Sequence, residues 1–166
     1  MELLRNGSLI AATATVGLMA GIYYAYACSV MPGLRATDDR TFISTMQSIN
    51  DAILNGWFFL VFIGALLMTG LAGAAQFGAG RHPALPWIIA AFVLYGLTIV
   101  TTGAVNVPLN DKLKAAGDPS QIPDLAAVRA HFETTWVRWN LVRTAGSVAA
   151  FGCLTWALVL QGRGRG

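Results

Sequence analysis

Four stretches of this chain contain no aspartate, glutamate, lysine or arginine: residues 6–34, 52–80, 83–110 and 144–162. A helix rising about 1.5 Å per residue needs about 20 apolar residues to cross the hydrocarbon of a bilayer. The first three stretches exceed that length and the fourth just reaches it. Only 11% of the 166 residues are charged, against about 25% in a soluble domain. Four buried helices of a soluble bundle would carry polar stripes at helical spacing. The segment FFLVFIGALLMT, Phe58–Thr69, carries none. A spanning β-strand alternates apolar and polar over about ten residues, and no window here does so. The expectation is an all-α, integral membrane four-helix bundle, one membrane domain over 1–166. Its spans are expected at about 8–31, 52–76, 87–105 and 141–160, with a partly helical long connection between helices three and four.

The breakers between these spans are Pro32-Gly33 after helix one and Gly78-Ala-Gly-Arg-His-Pro83 as a tight turn. The first connection, 35–51, is short and polar, and 41–50 reads as a helical approach to helix two. The long connection, 106–124, holds Pro108, Gly117, Pro119 and Pro123, so part of it reads as irregular. From Leu125 a helical pattern resumes and runs without a breaker to about Leu160. Arg5 ahead of an apolar run and Ala25-Tyr26-Ala27 resemble a signal peptide, but the run is longer than a usual h-region. The first helix is therefore expected to be retained. Gly17-xxx-Gly21 would let another helix approach closely, a basis for a homo-oligomer.

Cys28 and Cys153 fall inside predicted spans, where a thiol acts as a small buried apolar residue rather than half of a disulfide. The net charge of +3 is ordinary for a protein of the bacterial inner membrane. No basic cluster interleaved with aromatics points to nucleic acid. The lipid bilayer is the expected partner, with Arg163 and Arg165 as headgroup anchors. Counting Lys and Arg by loop favours the two long connections inside, whereas charge density favours cytoplasmic termini. Cytoplasmic termini are the working expectation.

Polar groups converge at one end of this bundle. In HFETTWVRWNLVRT, residues 131–144, Glu133, Trp136, Asn140 and Arg143 are spaced three, four and three apart. That spacing puts them on one helix face, flanked by Trp139 and continued upstream by Arg129. A charge at the bilayer centre costs about 2.5–3.5 kcal/mol on insertion scales, so such a stripe turns toward the bundle. The same end carries Gln47 and Asn50, then Asn55, then Asn106 and Asn110, and Tyr23, Tyr24 and Tyr26 in the last turns of helix one. Four antiparallel spans bring all of these to one membrane face.

Each residue also has an ordinary role. Trp136 and Trp139 would serve as interfacial belt aromatics, and Arg143 would snorkel to headgroups. Asn106 and Asn110 would cap turns, Gln47 and Asn50 would join helices, and the tyrosines would pack. His131 would sit in water, as would His82 in the opposite turn. The ordinary account requires a separate coincidence for each of them.

Three segments, MQSIN (46–50), NVPLN (106–110) and WVRWNLVR (136–143), together resemble the signatures of the anthrone oxygenase-like family. That family comprises small four-helix membrane proteins long catalogued as a domain of unknown function. The resemblance implies the same fold over most of the chain. It implies, for some members, oxidation of an anthrone to an anthraquinone by molecular oxygen in polyketide pathways. Gln47, Asn50, Asn106, Asn110, Trp136, Asn140 and Arg143 match its motif positions.

Two functional classes follow. The first is a monooxygenase-like oxidoreductase acting on an aromatic, enolisable small molecule, with oxygen as co-substrate and no cofactor. Arg143 and Asn140 would stabilise an oxyanion. Glu133 or His131 would accept the proton, with desolvation raising the carboxylate's pKa. Trp136, Trp139, Tyr23 and Tyr26 would stack on the rings, and Gln47, Asn50, Asn106 and Asn110 would bind the substrate's polar groups. No metal motif occurs, and the two histidines fall on opposite membrane faces, leaving haem through His131 as the alternative cofactor arrangement. The second class is a non-enzymatic small-molecule-binding protein or partner subunit. Transport, which places polar groups near the midplane, fits poorly with apolar helix centres.

Overall fold

The computed structural model describes residues 2–77 and 83–163. Most of them lie in helices, with no strand among them. The chain runs through α1 (Glu2–Ala25), a π turn (Tyr26–Val30), α2 (Met31–Arg35), α3 (Asp39–Ala52) and α4 (Gly56–Ala74). It continues through α5 (Leu85–Thr101), a second π turn (Thr102–Asn106), α6 (Val107–Ala115) and α7 (Leu125–Arg163). Four continuous helical runs are long and apolar enough to cross a membrane: Glu2–Arg35, Gly56–Ala74, Leu85–Ala115 and Leu125–Arg163. The integral membrane four-helix bundle is therefore correct. The turn at 78–82, with Arg81 and His82, and the tail residue Arg165 lie outside the described residues.

The helix ends differ from the expectation in an instructive way. Pro32 and Pro108 do not stop their helices. A proline inside an α-helix lacks the N–H for its i−4 carbonyl, and its ring collides with that carbonyl. Here each proline is preceded by a π turn, in which hydrogen bonds reach five residues back and the coil widens. The Met31 N–H bonds the Tyr26 carbonyl, and the Val107 N–H bonds the Thr102 carbonyl. Each proline then occupies the first turn of the next helical segment, where a missing N–H costs nothing. The first and third runs consequently reach 34 and 31 residues, longer than the about 20 a span needs, and only 116–124 of the long connection is non-helical. Helix two, by contrast, starts later than expected. The chain breaks at 53–55, where Asn55 Oδ1 accepts from the Phe58 N–H at 3.0 Å and caps α4.

In the bundle α1 packs on α4 and α7, and α5 packs on the same two helices. Leu9, Val16, Met19, Tyr23, Phe62, Tyr95 and Leu154 fill the membrane core. Leu18, Leu60, Leu67, Leu97 and Val100 face outward, as lipid contact requires. Small residues set the helix spacing. A Cβ on Gly146 of α7 would meet Thr98 Oγ1 of α5 at 2.9 Å, and one on Gly17 would meet the Phe151 ring at 2.9 Å. Gly17 thus spends its notch on α7 inside the chain, while Gly21 faces open space. Cys28, expected to be buried, is exposed in the first π turn, and Cys153 is half-buried.

A second, smaller core sits above the bundle, where Met31, Phe42, Ile43, Met46, Leu113, Phe132 and Trp136 meet. The amphipathic α3 lies across this end. Asp38 caps it, accepting from the Thr41 N–H and hydroxyl at 3.1 and 2.6 Å, and those bonds hold its carboxyl below the usual carboxylate range. Arg129 of α7 clamps the 35–39 linker. Its guanidinium donates to the Thr37 and Arg35 carbonyls and to Asp39, stacks over Phe42 at 4.5 Å, and bonds Glu133 at 2.7 Å.

The α5–α7 contact yields a direct test. Gly146→Val should lower the thermal midpoint of the detergent-solubilised protein by an amount equivalent to about 1–3 kcal/mol of overpacking. Gly64→Val, at a position with nothing within 4 Å, should change it little. Equal effects would mean that α5 and α7 are not in close contact.

Candidate functional site

The polar face of α7 opens into a cavity of about 180 Å³. A water needs about 10–15 Å³, so the space suits a small organic molecule. Nine of the twelve site residues expected from the sequence line it: Tyr23, Tyr26, Gln47, Asn50, Asn106, Asn110, Trp136, Asn140 and Arg143. Every helical run contributes. Tyr23 comes from the end of α1, Tyr26 and Asn106 from the two π turns, Gln47 and Asn50 from α3, Asn110 from α6, and Trp136, Asn140 and Arg143 from α7. Ile22, Ile53, Leu54, Phe58 and Val107 give the cavity apolar walls.

Arg143 lies at its base and is only 5% exposed. Its Nη2 donates to Asn140 Oδ1 at 3.0 Å, and Asn140 Nδ2 in turn donates to the Tyr23 carbonyl at 3.1 Å. The guanidinium is sandwiched between the Tyr23 ring, 4.6 Å from its centroid, and the Trp136 ring, at 5.2 Å. Among the described residues no carboxylate pairs with it, and its Nε has no hydrogen-bond partner. Removing a charge from water costs several kcal/mol even after relaxation. Each desolvated cation–π contact returns about 2 kcal/mol, and the bond to Asn140 adds to this, so the charge is solvated by the protein without being neutralised by a counter-ion.

The shell around Arg143 is partly pinned and partly open. Trp136 Nε1 donates to Asn110 Oδ1 at 2.9 Å, and the Tyr26 ring packs against Trp136 at 5.5 Å. Asn106 Nδ2 reaches the Trp136 carbonyl at 3.5 Å. Gln47 Nε2 donates to the Leu113 and Gly117 carbonyls at 2.9 and 3.0 Å, tying α3 to the end of α6. Asn106 and Asn110 are thus not turn caps. Four buried atoms of cavity residues have no partner: Arg143 Nε, Asn50 Nδ2, Tyr23 Oη and Asn106 Oδ1. Tyr23 Oη lies beside Thr102 and Arg143, with no partner at normal hydrogen-bond distance. Buried polar groups are normally satisfied. Two of these atoms only donate and one only accepts, the pattern of a site shaped for a polar ligand.

Three expected residues lie elsewhere. Glu133 has both oxygens committed, Oε1 to Arg35 at 2.9 Å and Oε2 to Arg129 at 2.7 Å, and serves the linker clamp. Ten residues of helix also separate it from Arg143, roughly 15 Å along the axis. Desolvation does not free it as a base, because two guanidinium groups hold it. His131 faces away from Trp136, five residues on, and its Nδ1 sits 2.8 Å from the Ala127 carbonyl. It borders a separate groove with Lys112 and Phe132. Trp139 is exposed, as a belt aromatic would be. Tyr24 also faces outward.

Sequence reasoning missed Asp51, Thr102, Asp111 and Lys114 at the cavity. Lys114 Nζ bonds Asp51 Oδ1 at 2.7 Å across the mouth. The expectation of a partly helical connection did not say which part is helical; α6 is that part, and on it Val107, Asp111 and Lys114 follow Asn106 at helical spacing. No three His, Cys, Asp or Glu side chains group as metal ligands among the described residues.

Replacing Arg143 by Met, similar in length and uncharged, should leave the thermal midpoint unchanged or raise it, because the desolvation cost of a buried charge without a counter-ion disappears along with its contacts. A fall of several degrees would mean that Arg143 holds the fold together.

A model of the family described as anthrone oxygenase matches residues 57–153, more than half of the chain. No curated protein and no solved structure matches it.

Proposed function

The chain belongs to the anthrone oxygenase family, and from that premise we propose a membrane-embedded oxygenase-like enzyme that oxidises an aromatic, enolisable ketone of the anthrone type with molecular oxygen. The observation that carries this reading is the buried Arg143, which has no carboxylate partner among the described residues and leaves Nε free beside a cavity. An anthrone carries a carbonyl opposite an acidic methylene. Loss of a methylene proton turns the ring system into a phenolate-like anion whose charge rests largely on oxygen. A preorganised guanidinium and amide in a water-poor site stabilise such charge far better than water does. The electron-rich carbon then reduces oxygen and combines with it. The resulting hydroperoxide loses water, leaving a carbonyl where the methylene was, so that one ketone and one O₂ give one quinone and one H₂O.

Roles divide along the cavity. Arg143, held by Asn140, faces the substrate oxygen. Trp136 and Tyr26 supply flat apolar surface for the rings. Asn106 Oδ1, an acceptor, suits a ring hydroxyl, and Asn50 Nδ2 and Tyr23 Oη suit further oxygens. A hydrophobic polyketide-like substrate would reach the site from the lipid bilayer, which fits the apolar wall of Ile22, Leu54, Phe58 and Val107.

Purified protein in detergent should consume oxygen when given an anthrone, above a boiled control, and release the quinone in equal amount. Arg143→Ala and Asn140→Ala should each lower kcat by about 10²–10³, the usual cost of losing one oxyanion donor, while still inserting into membranes. Full activity in both variants would overturn the assignment. Binding of the ketone without oxygen uptake would identify a small-molecule-binding protein instead.

A further inference from the structure

An oxyanion stabiliser explains only half of an enolisation, because the proton must also go somewhere. With Glu133 tied into the linker clamp and His131 on another surface, the base has to come from the cavity itself. Two carboxylates line it, Asp51 and Asp111. Asp51 is committed to Lys114 at 2.7 Å. Asp111 forms no hydrogen bond or ion pair within the described residues.

We propose that Asp111 is the proton acceptor of this cavity, taking a carbon-bound proton from the ketone whose oxygen faces Arg143. The inference rests on the enolisation step of the function proposed above. Asp111 follows Asn110, the residue that anchors Trp136 through its indole N–H, so the carboxylate is placed on the same short helix that fixes the aromatic wall. Val107, Asp111 and Lys114 recur at i, i+4 and i+7 on α6, the spacing that keeps them on one face. The π turn ahead of Pro108 is what lets that helix continue far enough to present them.

Burial separates the two charges. Arg143 is buried at the base, whereas Asp111 is exposed. A carboxylate in contact with the guanidinium would neutralise it and lose basicity itself. Held apart, each remains available to the substrate between them. In the step, the C–H bond breaks, the proton moves to an Asp111 oxygen and the electron pair spreads onto the substrate oxygen against Arg143. Water at the mouth then takes the proton from Asp111. The other titratable groups lining the cavity are Asp51 and Lys114, bonded to each other, and Tyr23 and Tyr26.

Proton removal can be read without oxygen. Under argon in D₂O, the full-length protein in detergent should exchange the methylene hydrogens of an anthrone faster than buffer does, as followed by proton NMR. Asp111→Asn should lower that rate by about 10²–10³ while binding of the quinone product stays within about threefold. Formate should restore part of the exchange in Asp111→Ala, which a purely structural role would not allow. Asp111→Asn exchanging within about threefold of the wild type, or a larger loss in Asp51→Asn, would overturn the proposal, as would loss of quinone binding together with no formate rescue. Wild-type exchange without aerobic oxygen uptake would sink the oxygenase reading and leave the base assignment standing. Absence of wild-type exchange would sink the base assignment.

Discussion

The rest of the site depends on a guanidinium that has no anion beside it among the described residues, enclosed in a membrane bundle. Arg143 keeps two aromatic faces and one amide oxygen for company. Those contacts orient the group without neutralising it. A buried ion pair would have been the ordinary way to settle such a charge, and three guanidinium–carboxylate bonds stand less than four turns away, among Arg35, Arg129, Asp39 and Glu133. The chain therefore contains both solutions on one helix. The upper arginine is spent on structure and the lower one is left available.

The site exists because two prolines do not end their helices. Each follows a π turn, and each π turn supplies a cavity residue, Tyr26 in one case and Asn106 in the other. The helices they prolong, α2 and α6, close over the bundle with α3 and build the second core. Trp136 belongs to that core and to the cavity wall at once. Packing above the membrane is thereby linked mechanically to the aromatic surface that faces a ligand.

Much of this was legible in the residues. Uncharged stretches of sufficient length specify spanning helices almost by themselves, because a lipid-exposed backbone must satisfy its own hydrogen bonds. The three, four, three spacing of Glu133, Trp136, Asn140 and Arg143 identified the inward face of α7, and antiparallel topology brought Tyr23, Asn50, Asn106 and Asn110 to it. What could not be read was local. Proline is a breaker in most contexts, and nothing in MP or VP announces a π turn. The connection was expected to be partly helical, but its helical part was not located, so Asp111 and Lys114 were not placed at the site. A shared helix face also said nothing of partners, and the axial separation that ten residues imply was not used, so Glu133 passed for a neighbour of Arg143 when it serves Arg35 and Arg129. His131 stood on the wrong side of its helix from the outset, and a stricter use of the 3.6-residue period would have excluded it.

The central claim is that this cavity favours a negatively charged oxygen. The most direct measurement is the ionisation of a phenol bound there, such as 2-naphthol titrated by absorbance in the presence of saturating protein. The bound phenol should ionise at a lower pH than in water, by at least about one unit, or 1.4 kcal/mol, and the shift should vanish in Arg143→Met. A bound phenol that ionises at its solution value or higher in the wild-type protein would contradict it.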